Sequence, residues 1–137
     1  MEEVHFNKSD KSQLTKIMKP KVVADKSGAN IHLAFFGTSC GGGQAFLGNL
    51  CRAYPLAVNC IADWFDPLHL AEIVTHEIGH VLGMRHDSDL GCGKVNGDRG
   101  HMSGTHNRWS SCSKNQFSKR YTEIALSKKD KWCLEPG

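Results

Sequence analysis

The run His76-Glu77-Ile78-Gly79-His80-Val81-Leu82-Gly83-Met84-Arg85-His86-Asp87 constrains this 137-residue chain more than any other stretch. On a helix, His76 and His80 stand about 40° apart around the axis and one turn apart along it, so both imidazoles can ligate one metal ion. Glu77 is rotated about 100° from His76 and points near the metal but to one side, which suits a base better than a ligand. Gly83 fits the left-handed conformation that closes helices, and His86 follows shortly as a third imidazole. Three protein ligands leave one position of a zinc ion open for water, the condition of catalytic rather than structural sites. Any fold must therefore supply a helix that stops at Gly83 and a turn that brings His86 back.

Length and charge narrow the setting. One domain is expected, large enough to bury roughly two-thirds of the surface exposed by the unfolded chain. The formal charge of +3 is too small to imply a nucleic-acid partner. The lysines gathered in 11–26 and 114–131 read as solvated faces. Six cysteines without a C-x-x-C spacing exclude the usual ribbon and thioredoxin patterns. Their even number fits three disulfides and an oxidising compartment. No apolar run approaches a membrane span, and no export signal follows the acidic Met1-Glu2-Glu3. The chain thus reads as a fragment or excised domain of a secreted protein.

Along the chain, Ser9 to Lys19 predicts a short helix with Leu14, Ile17 and Met18 on one side, stopped by Pro20. Val22-Val23-Ala24 reads as a brief strand and residues 30–36 as a buried one, their apolar residues being nearly continuous. After a glycine-rich turn over 37–43, Gln44 to Leu47 reads as an edge strand and Ala57 to Ala62 as another strand. Asp66-Pro67 marks a helix start, predicting a helix over 67–82. Residues 87–111 read as an irregular loop held by Cys92 and Cys112. Ser113-Lys114-Asn115-Gln116 reads as a capping box opening a last helix, with Phe117, Tyr121, Ile124 and Ala125 inward. His5, His32 and His69 read as structural, and His101 and His106 as surface residues. Asn7-Lys8-Ser9 is a glycosylation acceptor in form only.

H-E-x-x-H is a zinc-protease pattern, and a methionine in a later turn, here within His101-Met102-Ser103-Gly104, extends it. The run ending in His86-Asp87 resembles the reprolysin (adamalysin) branch of the metzincins. The stretch 31–38 is similar to that family's third strand, 43–51 to its substrate-binding edge strand, and 109–113 to the approach to its final helix. The resemblance implies an α/β metzincin-like catalytic domain over 30–137, with a reduced mixed sheet, a central zinc-binding helix and an irregular lower part ending in a C-terminal helix. Residues 1–29 are then an N-terminal remnant with a short helix, shorter than the family's usual N-terminal side.

The same resemblance implies one catalytic zinc on His76, His80 and His86, with Glu77 as general base and a protein or peptide as substrate along the edge near Ala45 to Gly48. It further implies that Asp87 braces the methionine turn, that Met102 packs beneath the histidines, and that Cys51 pairs with Cys133. Cys92 with Cys112 and Cys40 with Cys60 complete the expected disulfides. Many family members hold calcium near the last cysteine. Leu134, Glu135 and Pro136 follow Cys133 here, so calcium is not expected. A secreted, monomeric endopeptidase is the leading expectation. The alternatives are a catalytically weak zinc-binding domain acting through partners, and a small disulfide-rich protein with structural zinc. Glu77 argues against both, since a structural site has no use for a carboxylate beside an open position.

Overall fold

The computed structural model describes residues 11–37, 42–60, 66–92, 97–103, 107–129 and 131–134. The chain is a mixed α/β fold. Helix α1 (Lys11–Ala24) leads into strand β1 (His32–Phe36), then β2 (Gly43–Ala45) and β3 (Leu56–Cys60). Helix α2 (Pro67–Val81) follows, and helix α3 (Ser111–Leu126) comes after a segment containing short 3-10 turns at Asp87–Leu90 and His101–Ser103. The sheet order is β1-β3-β2, with β1 parallel and β2 antiparallel to β3.

Helix α1 extends past the expected stop, and Val22 to Ala24 are helical rather than a strand. The reason is packing. Leu14, Met18 and Val22 recur every fourth residue, and Leu14 and Val22 are buried against Ala34, Leu56, Val58 and Cys60. That stripe outweighs the backbone bond lost at Pro20, which sits exposed inside the helix.

The expected buried strand over 30–36 is not buried on both faces. Ala34 is covered, but Leu33 is 41% and Phe35 50% exposed. Strand β1 lies at one edge of the described sheet, and α2 packs across β3 and β2 instead. The central strand β3 is buried at every residue, the outcome expected where helices cover both faces.

On α3 the capping residue is Ser110, whose side chain accepts a bond from Ser113 N, so the helix starts before the expected capping box. Its inner face is partly polar: Ser113, Arg120 and Ile124 are buried. Tyr121 and Ala125, expected inward, are exposed. Disulfides join Cys51 to Cys133, as the resemblance implied, and Cys92 to Cys112, as expected from their flanking the loop that carries Met102. Cys60 is disulfide-bonded, while Cys40 lies outside the described residues, as do His5, His106 and the Asn7-Lys8-Ser9 triplet. Among the described residues no helix is long and apolar enough to cross a membrane.

Candidate active site

The site begins with how α2 starts and stops. Asp66 caps it by accepting from Leu68 N at 3.0 Å and His69 N at 3.4 Å, with Pro67 in the first turn. At the other end Gly83 takes φ +96°, which side chains rarely adopt. A Cβ there would also lie 3.1 Å from Arg120 of α3. The chain then folds back, with Gly83 N bonded to His80 O and Met84 N to Gly79 O, both at 2.9 Å. That turn delivers His86 to the face carrying His76 and His80.

The structure brings the three imidazoles together. His86 Nε2 lies 3.1 Å from His76 Nε2 and 3.2 Å from His80 Nε2. Nitrogens bound tetrahedrally at 2.0–2.1 Å from one zinc stand about 3.3–3.4 Å apart, so the donor set fits that ion. His76 Nδ1 donates to the carbonyl of His101 and His80 Nδ1 to that of Met84, each at 2.7 Å. A carbonyl only accepts, so both rings carry their proton on Nδ1 and turn a lone pair on Nε2 toward the common centre. Burial pushes the pKa of His80 down to about 4, against the opposing pull of the Met84 carbonyl. Burial likewise lowers His76. Both are neutral at pH 7, the form that binds metal.

Glu77 is 6% exposed and packs against the edge strand. Gly43 leaves the room: a Cβ there would lie 2.8 Å from Glu77 Cγ and 2.4 Å from Val58 O. Glu77, the three histidines, Gly43, Ala45 and Leu47 line one cleft of about 620 Å³. Phe46 N bonds Leu56 O and Cys60 N bonds Gly42 O, so the alternate residues Gly43 and Ala45 turn their backbone groups away from β3. The open edge was expected over Ala45 to Gly48. Gly48 N, however, is bonded to His80 O at 2.8 Å, and the open stretch is β2 itself.

Beneath the histidines, Met102 is 1% exposed, and a Cβ on Gly79 would come within 2.5 Å of its sulfur. Asp87 is 1% exposed. It accepts from Gly100 N at 3.1 Å and Ser103 Oγ at 2.5 Å, on either side of Met102, and from Ser110 and Ser113 across the loop. Burial pushes its carboxyl up, but these four donors outweigh it and hold the pKa below the usual carboxylate value.

Several supporting groups were not legible in advance. The carbonyls of His101 and Met84 leave no trace in residue type. The three serines around Asp87 lack a period, although Ser110 three residues before Ser113 could have been read as a cap. His101, expected at the surface, is half-buried and packs edge-on against Trp109 at 4.6 Å. His32 and His69 stand apart from the triad, beside Asp25 and Glu72 respectively, with His69 reaching the cleft rim.

These features place three histidines that could hold one metal ion on a helix and its return turn, with a carboxylate alongside and a methionine beneath. The family model described as Reprolysin (M12B) family zinc metalloprotease matches residues 4–135. The chain belongs to that zinc metalloprotease family.

Proposed function

We propose that this chain is a zinc-dependent endopeptidase in which His76, His80 and His86 hold the ion and Glu77 is the general base. The observation that carries the reading is the convergence of three Nε2 atoms beside a buried carboxylate, in a cleft walled by an open strand edge. Zinc, when bound, supplies the Lewis acidity that makes a water proton removable near neutral pH and polarises a carbonyl. Glu77 accepts that proton and later returns it to the departing amine. The backbone groups of Gly43 and Ala45 pair with an extended peptide and fix its scissile bond over the histidines. Asp87 and Met102 keep the floor of the site in place.

In this reading residues 30–137 form the catalytic core and 1–29 an N-terminal portion that carries helix α1. The disulfides support secretion, and the chain works as a monomer on protein or peptide substrates. The test is cleavage of a denatured-protein or peptide library by the zinc-loaded chain, with and without a chelator, and by Glu77→Ala. Cleavage should vanish in both cases while Glu77→Ala keeps about one zinc per chain. Zinc lost with Glu77→Ala would make the carboxylate a ligand, and unchanged cleavage would remove the proposed base. Zinc bound with no cleavage of anything would leave a zinc-binding domain that acts through partners.

A further inference from the structure

The histidines stand between two lobes of the cleft, and the lobes differ in charge. The lobe under β2 carries acids and bases together: Glu72, Glu77 and Asp89 with Arg85. The other lobe, about 500 Å³, is lined by His76, His86, Ser88, Arg99, Met102 and Ser103, together with Cys92. Among the described residues that line it, Arg99 alone has a permanent charge. The sequence stretches that follow its lining residues Cys92 and Ser103, 93–96 (Gly-Lys-Val-Asn) and 104–106 (Gly-Thr-His), contain no acid.

The acids nearest in sequence are already engaged. Asp98 accepts from Ser111 N at 3.1 Å and from the Ser111 hydroxyl, at the start of α3. Asp87 is buried under its four donors. Among the described residues the Arg99 guanidinium has no ion-pair partner. Its backbone is nonetheless held from both sides. Arg108 Nε donates to Arg99 O at 3.1 Å, and the next residue, Gly100, is bonded through its N–H to Asp87. Among the described residues a fixed backbone thus brings a cation without an ion-pair partner to the lining of the lobe that includes His76 and His86. A guanidinium so placed matches a carboxylate in charge and in its paired donors.

We infer that Arg99 is a specificity residue that makes this lobe a subsite for an acidic side chain of the substrate. The inference rests on the endopeptidase reading and adds the substrate class to it.

The test uses the zinc-loaded chain and C-terminally amidated peptides in pairs, Glu against Gln at each position flanking the scissile bond. At one position kcat/KM for Glu should exceed that for Gln by about fivefold at low salt, shrinking as salt rises. The ratio should fall to about one in Arg99→Gln, and in Arg99→Glu a Lys peptide should overtake the Glu peptide. Because the readout is a ratio within each variant, a change in the fraction of active protein does not move it. An equal ratio in wild type and Arg99→Gln overturns the inference. So does a preference that appears only when the peptide ends there in a free carboxylate, which would mean that the lobe reads a chain terminus. If wild type cleaves no peptide the endopeptidase reading fails separately. Calorimetric affinities of the same pairs for the zinc-loaded chain then decide, with the same fivefold ratio and the same loss in Arg99→Gln expected.

Discussion

A buried carboxylate is stable only where donors replace the water it gave up, and Asp87 has four of them on the segments that flank Met102 and open α3. Asp87→Asn keeps the shape but removes the charge and turns an NH₂ toward groups that already donate. We expect a loss of about 2–3 kcal/mol in thermal or denaturant unfolding, together with weaker zinc retention against a chelator. A variant as stable as wild type would show that the network does not brace the turn. The pH dependence has a definite sign. The folded pKa lies below the ordinary 3.8, so the contribution of Asp87 is present above that value and lost as pH falls through it and below. Gly79→Ala tests the floor from the other side, since its Cβ would stand 2.5 Å from the Met102 sulfur and 3.1 Å from Trp109. Overpacking of that kind costs about 1–3 kcal/mol, and zinc affinity should fall with it.

Among the elements, α2 was legible nearly to its ends because cap, proline, apolar stripe and closing glycine all agree. Helix α1 was not, because a local rule and a tertiary one conflict at Pro20. The proline stays inside the helix only because Leu14, Met18 and Val22 are worth more packed on the sheet. Pro20→Ala should therefore raise stability. The restored helix bond and removed ring clash outweigh the extra freedom that alanine gives the unfolded chain, for a net gain of about 1–2 kcal/mol. Unchanged or reduced stability would mean that the helix does not continue through this point in solution. The partial misreading of α3 has a similar origin. Its inward face carries Ser113 for Asp87 and Arg120 for the carbonyl of Leu50, while Tyr121 and Ala125, which continue the apolar periodicity, are exposed. Polar residues that serve another element's backbone or carboxylate break the pattern by which a helix face is recognised.

For the molecule as a whole, the histidine pattern and the pairings Cys51–Cys133 and Cys92–Cys112 could be anticipated, while the exposure of β1 could not, since it depends on which strand the helices cover. Stability of the metal-free chain should fall with acid already from about pH 6.5. Below that value the unfolded chain protonates His80, whereas the folded chain resists until about 4, so unfolding takes up protons across the interval. Zinc should steepen the loss, because it needs the same nitrogens unprotonated. A melting temperature flat between pH 7 and 4 would contradict the burial assigned to the site.

The disulfides set a larger scale. Cys51–Cys133 spans 82 residues and lies in a small core with Ile124, Leu50 and Leu134, whereas Cys92–Cys112 spans 20. Loop-closure entropy assigns about 4.5 kcal/mol to the first and about 3.3 kcal/mol to the second. Domains of this size have about 5–15 kcal/mol in total, so loss of the longer bridge removes from about a third to nearly all of that margin. The joint variant Cys51→Ser with Cys133→Ser should thus be largely unfolded at 37 °C without zinc, and zinc should restore part of the fold. Removing Cys92 and Cys112 together should cost less stability but more zinc affinity, because that bridge closes the loop bearing Met102 and the carbonyl that holds His76. Unfolding curves and chelator competition on both double variants distinguish the two roles. Equal losses on both readouts would mean that the bridges act only through chain entropy.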